Sequence, residues 1–235
     1  MAHPALTLAN EETTVRRHKF FVLFSYLLIA LVLYPFIKEG TFSYFVFRVV
    51  GSVGILLTLY AISLRRTLLV VGLLLAVPAF FERMLLPRAS GGALSILGIV
   101  LSFVFDTFVV VIIFRHVFNR EKPSSETVFG ALCIYLLIGF SFASLYGMVA
   151  TLQPKAFYLD PLTNLHATPD RFDFVYYSFA TMTSLGATGI TAVSNEARSL
   201  AIIETTIGIL YLAVLIARLM SAYRHPSTLS REDAG

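Results

Sequence analysis

Ser184, Leu185, Gly186, Ala187, Thr188, Gly189, Ile190 and Thr191 form a run rich in small, hydroxyl-bearing and glycine residues. It sits between a short aromatic segment, Phe172 to Thr183, and the long apolar run Ala197 to Tyr223. The short segment reads as a helix that dips into a membrane, and the long one as a helix that leaves it. The run between them is then non-helical backbone at membrane depth, which is tolerated only where protein or a water-filled path satisfies its polar groups. Backbone oxygens along such a path serve the passage of ions rather than the making of bonds.

Bond-making chemistry finds no support elsewhere. His3, His18, His116, His166 and His225 are scattered without metal-type spacing. There is no Gly-x-Ser-x-Gly elbow and no glycine-rich phosphate cradle. Asp170 and Asp173 flank the dip and read as helix caps rather than a catalytic pair, with Thr168 the other capping choice. Cys133, the single cysteine, lies in an apolar segment and reads as a small packed residue. The expectation is a non-enzyme without a cofactor.

The elements that must position the turn follow from composition. Hydrophobic residues make up 57% of the 235 and charged ones 14%, against about 25% charged in a soluble domain. This is the composition of an integral membrane protein, embedded in a lipid bilayer. Apolar windows, measured against the roughly 20 residues a spanning helix needs, give six spans, near Phe20 to Ile37, Ser43 to Leu64, Thr67 to Phe81, Ala93 to Phe114, Val128 to Leu152 and Ala197 to Ala222. The third is short and carries Pro78, which implies a tilt or kink. The expected fold class is an all-α polytopic membrane protein, with six transmembrane helices and a re-entrant pore helix and filter loop between the last two.

Basic residues orient it. With the N-terminus cytoplasmic, eleven lie inside (Arg16, Arg17, Lys19, Arg65, Arg66, Arg115, Arg120, Lys122, Arg218, Arg224 and Arg231) and six outside (Lys38, Arg83, Arg88, Lys155, Arg171 and Arg198). That bias fits the positive-inside rule, with both termini cytoplasmic, the dip entering from outside, and the plasma (inner) membrane as the location. It also accounts for the net charge of +4 without nucleic acid. No small-residue cleavage site follows the first apolar run, so no removable signal peptide is expected. The expected divisions are a cytoplasmic segment over 1–19, a four-helix domain over 20–118, a linker over 119–127, a pore domain over 128–223 and a tail over 224–235. Pro123, Ser124, Ser125 and Glu126 form a helix-start signal for the fifth span.

From about Val128 to Tyr223 the chain resembles the pore module of tetrameric potassium channels, particularly bacterial ion-channel proteins with two helices around a pore loop. The stretch from Tyr176 to Ser194 is similar to the family's aromatic pore helix, its Thr-Val-Gly-Tyr-Gly-Asp filter and the Ile-Thr-Pro that follows. The run Ala197 to Arg218 is similar to its inner helix, with Gly208 about where that helix carries a hinge glycine. The resemblance implies a filter of Ser184, Leu185, Gly186, Ala187, Thr188 and Gly189, supported by Tyr176, Tyr177, Thr181, Thr183 and Glu204. Monovalent cations would bind at Ser184, Leu185 and Gly186, potassium first and sodium second.

The filter departs from the pattern at five of six positions, keeping only Gly186. Thr188 stands where the family has its second glycine, and positive φ is an outlier for a β-branched residue. Ala187 removes a packing aromatic and Gly189 a tethering carboxylate. Potassium-preferring conduction, poorly selective cation conduction and a silent pore all remain open. A single dip cannot enclose a path, whereas four copies around an axis can, so a homotetramer is expected, alone or with other channel subunits. Ala93 to Phe114 contains Asp106 and no arginine, so little voltage dependence is expected. Arg48 and Asp106 read as a structural pair or as snorkelling side chains, with a relay as the other reading. Glu204 either braces Ser and Thr groups near the filter or acts in permeation or pH gating, with Thr205 and Thr206 as its partners or facing the cavity. Gly208 is either a hinge or a close-packing site. The rival functions are a non-conducting regulatory or scaffold subunit and a small transporter, the latter opposed by the absence of an internal repeat.

Overall fold

A computed structural model describes residues 19–33, 52–61, 68, 70–77, 93–119, 125–164, 168–186 and 189–223. In chain order the helices are α1 Lys19–Leu33, α2 Ser52–Ala61, α3 over residues 70–77, α4 Ala93–Phe118, α5 Ser125–Leu152, α6 Arg171–Met182 and α7 Asn195–Tyr223. Two short strands, β1 Phe157–Leu159 and β2 Ile190–Ala192, flank α6 in the chain.

Among the described residues, three helical stretches are long and apolar enough to cross a membrane: Ile96–Phe118, Ser125–Leu152 and Asn195–Met220. α1 and α2 are apolar but shorter. Arg48, Pro78 and the remaining parts of the first three expected spans lie outside the described residues, as do most of the expected linker and the terminal segments. The protein is thus mostly helical. Among the described residues the helical architecture also holds a short sheet that the all-α expectation did not include, in which β1 and β2 pair antiparallel with Phe157 opposite Ala192, Tyr158 opposite Thr191 and Leu159 opposite Ile190. Its cause is a period-2 alternation: Phe157, Leu159, Ile190 and Ala192 are buried while Tyr158 and Thr191 face outward.

α5 begins at Ser125, directly after the expected Pro-Ser start, and Glu126 lies in its first turn, where a negative charge complements the helix dipole. It is the central helix, packed against α1, α4, α6 and α7. One apolar core joins Phe20 and Leu23 of α1, Val109, Ile113 and Val117 of α4, and Ile134 of α5, with Tyr211 and Leu215 of α7 closing it. Cys133 is fully buried here, its thiol 3.4 Å from the Phe20 carbonyl, so it is the packed residue the sequence suggested. A second, aromatic core surrounds the sheet, with Tyr146 edge-on to Tyr177 at 4.9 Å and Phe157 edge-on to Phe174 at 5.1 Å. This second core holds α6 in place.

Candidate functional site

α6 has twelve residues, about 18 Å at 1.5 Å per residue, too short to cross a bilayer core of about 30 Å. Its ends are fixed by side chains and backbone that the sequence partly announces. Asp170 is the N-cap: its carboxylate accepts from the Asp173 N–H at 2.9 Å, while the Asp173 carboxylate accepts from the Asp170 N–H at 2.8 Å. This reciprocal capping box satisfies two of the otherwise orphaned amides of the first turn. The helix spans one residue earlier at each end than the expected Phe172 to Thr183.

The other end opens onto the expected filter. Thr183 is the C-cap, Ser184 donates its N–H to the Thr181 carbonyl at 3.1 Å, and Leu185 donates to the Ala180 carbonyl at 2.8 Å. That pair of bonds is the Schellman arrangement, which requires a left-handed residue directly after the cap. The residue is Ser184, with φ of 57°, the described non-glycine position with positive φ. Gly186 follows at φ 82°, and a side chain there would meet nothing within 4 Å. Ser184, Leu185 and Gly186 are exposed in the single chain, Leu185 by 67%. Ala187 and Thr188 lie outside the described residues.

Gly189 resumes the described chain at φ 71° and leads into β2. Its carbonyl accepts the Asp160 N–H at 2.9 Å and the Asn164 side-chain amide, also at 2.9 Å. Neither Asn164 nor this contact stands out in the sequence, where the two residues lie 25 positions apart.

Glu204 of α7 is fully buried. Its Oε2 accepts from the Tyr146 hydroxyl of α5 at 2.5 Å, and its Oε1 lies 2.5 Å from the Ser178 hydroxyl of α6. Ser178 Oγ is also 2.7 Å from the Gly139 carbonyl of α5. A buried carboxyl group thus joins three helices through hydroxyls, as buried polar groups must to avoid a desolvation cost. The expected partners Thr205 and Thr206 do not serve it. Thr205 donates to the Thr181 carbonyl at 3.3 Å, tying α7 to the end of α6, and Thr206 donates to Ile202 in its own helix. Tyr146 and Ser178 were missed, although a hydroxyl inside an apolar span is itself a signal that some partner is near.

Glu204, Gly208, Tyr211 and Leu215 form one buried stripe on α7, at the i, i+4, i+7, i+11 spacing of a single helix face. Gly208 lies against the last turn of α6, where an added Cβ would come 2.7 Å from the Met182 carbonyl oxygen. α7 runs unbroken through this position. The remaining support residues divide: Tyr177 is buried in the aromatic core, Thr181 is half-buried, and Tyr176 and Thr183 are exposed. Asp106 is half-buried in α4. The opposite side of α7 is largely unburied, with Ile202, Leu210 and Ile216 each more than half exposed.

A family model described as an ion channel matches residues 130–225. The match takes in most of α5, all of the loop and α6, the turn and α7. No curated protein matches the chain, and no solved structure does. The back part of the protein is therefore similar to an ion-channel domain. With its apolar helices, that match points to a membrane protein with a channel-like, non-enzymatic role.

Proposed function

We propose that this chain is the pore-forming subunit of a cation channel, with four copies surrounding a shared axis and the Ser184 to Gly189 turn lining it. The observation that carries the reading is α6 itself, a helix too short to span, held between two helices that are long enough, and ending in an exposed turn. The alternation of positive φ at Ser184 and Gly186 supports it, because such residues redirect successive carbonyls out of the helical direction. The C-terminal end of α6 carries the negative pole of its dipole, which favours a cation at the turn. Ser184, Leu185 and Gly186 are the ligands of a monovalent cation in this reading, potassium first.

Six spans, cytoplasmic termini and a plasma-membrane location complete the proposal. The uncovered apolar face of α7 suits contact with neighbouring copies. α4 carries Asp106 and no arginine before Arg115, so gating responds little to voltage.

The test is single-channel recording from the full chain reconstituted in planar bilayers, with potassium and sodium exchanged across the membrane. The expected result is a cation current whose reversal follows the potassium gradient more closely than the sodium gradient. Equal following would mean poor selectivity. A protein that assembles in the bilayer and carries no current would overturn the proposal in favour of a scaffold role. Ala187→Tyr with Thr188→Gly restores two of the family's filter residues and is the informative gain-of-selectivity control. Gly189→Asp is unsuited to this purpose, since a Cβ there would lie 2.4 Å from Thr163 Oγ1.

A further inference from the structure

We infer that Asn164 is a positioning residue for the far end of the pore turn, acting through the Gly189 carbonyl, an inference that rests on the pore reading above. Gly189 has no side chain with which to anchor itself, and glycine takes φ of either sign freely, so its φ of 71° is selected by what its backbone bonds to. The holding comes from a compact turn in the loop after β1. Both hydrogens of the Asn164 amide are placed on carbonyls, one on Gly189 and one on Asp160, each at 2.9 Å. The Asp160 N–H donates to the same Gly189 oxygen at 2.9 Å. Asp160 N–H and the amide of Asn164 thus occupy both lone pairs of that oxygen.

The surrounding turn is built to keep the amide there. Asp160 caps it, its carboxylate accepting the Leu162 N–H at 3.0 Å, and its carbonyl accepts the Asn164 N–H at 3.1 Å. Thr163 Oγ1 lies 3.2 Å from the Asn164 amide nitrogen and fills the space where a Cβ on residue 189 would fall. The neighbours of the amide nitrogen are therefore oxygens, which fixes which way round the amide points. β1 continues the attachment by pairing with β2, directly after Gly189.

Two consequences follow for the pore. Gly189's carbonyl, with both lone pairs taken by protein donors, is no ion ligand, so the oxygen-lined stretch ends before it. The turn is also anchored at both ends by different parts of the chain, at Ser184 by α6 and at Gly189 by the loop clamp. Loosening the clamp frees one end only.

The experiment compares the unmodified full chain with Asn164→Asp and Asn164→Leu, which match the amide in size but donate nothing to Gly189. The two variants differ in charge, so an effect common to both is the lost donor. Two readouts are taken on the same reconstituted protein. Hydrogen exchange at the Asp160 amide is expected to rise about tenfold in both, the factor that one hydrogen bond of ordinary net strength represents. The sodium-to-potassium permeability ratio is expected to rise at least threefold in both. Unchanged exchange would overturn the clamp whether or not the protein conducts. Faster exchange with an unchanged permeability ratio would overturn its role in positioning the turn. Silence of the unmodified chain would overturn the pore reading and the positioning role with it, while the exchange arm would still report the clamp.

Discussion

Glutamine at position 204 is expected to be as good as glutamate, and leucine much worse. Ser178 has one hydroxyl hydrogen but two oxygens beside it, Gly139 O at 2.7 Å and Glu204 Oε1 at 2.5 Å. An amide at 204 supplies the extra donor: its N–H points to Ser178 Oγ, the Ser178 hydroxyl then serves Gly139, and the amide oxygen still accepts from Tyr146. Each polar heavy atom keeps a partner; the second amide hydrogen has no acceptor, a cost offset by the charge that is no longer buried. Leucine removes the acceptor of Tyr146, a residue with no exposure to water, together with the contact to Ser178. Interhelical hydrogen bonds in membrane proteins are worth about 0.6 to 1.7 kcal/mol each, so losing two costs about 1 to 3 kcal/mol. At about 2 to 4 °C per kcal/mol for a chain of this size, Glu204→Leu lowers the unfolding midpoint by about 2 to 12 °C. Tyr146→Phe, which removes one of the two bonds, falls between.

The molecule supplies its own reporter. It has no tryptophan and a single cysteine, Cys133, that is fully buried. A thiol-reactive fluorophore therefore reads unfolding of detergent-solubilised protein as Cys133 becomes accessible. Glu204→Gln should melt within about 2 °C of the unmodified chain or above it, the shift that under 1 kcal/mol produces. Equal losses for glutamine and leucine would refute the hydrogen count and show that position 204 requires a carboxylate as such.

The same assay separates three other features. Gly208→Ala places a Cβ 2.7 Å from the Met182 carbonyl oxygen, which is backbone and yields little; overpacking of this kind costs about 1 to 3 kcal/mol, so a lowered midpoint is expected, whereas a residue needed only for bending would leave it unchanged. Ser184→Gly removes the penalty of a left-handed serine, about 1 kcal/mol, and should raise the midpoint by about 2 to 4 °C even if conduction changes. Asp170→Ala loses the N-cap of α6 and should cost about 1 kcal/mol, read as a lower midpoint, with Asp170→Asn recovering most of it.

How much of this was legible beforehand depends on the reach of each contact. Ser125 as a helix start and Asp170 as a cap are local chemistry, and both are where the residues around them pointed. The short helix α6 was legible to within one residue because its aromatic composition and the run after it differ sharply. The sheet was not, since strands of three residues are too short for alternation to stand out. Glu204 was recognisable as a buried carboxyl in an apolar run, but Tyr146 and Ser178 lie 58 and 26 residues away in the chain, and only packing brings them together. Asn164 is hidden for the same reason, 25 residues from the carbonyl it holds. Gly208 was open between bending and packing because the Met182 carbonyl that crowds it belongs to another helix.

In the channel reading, the way α6 ends also bears on the sign of the ion that the turn would attract. The amides of Thr183, Ser184 and Leu185 all point back into the helix, toward Phe179, Thr181 and Ala180. A chloride ion arriving at that rim meets none of these three N–H groups. In the channel reading proposed above, discrimination against anions would reside in the helix terminus rather than in the altered residues further along, and it would persist in variants whose preference among sodium and potassium is lost.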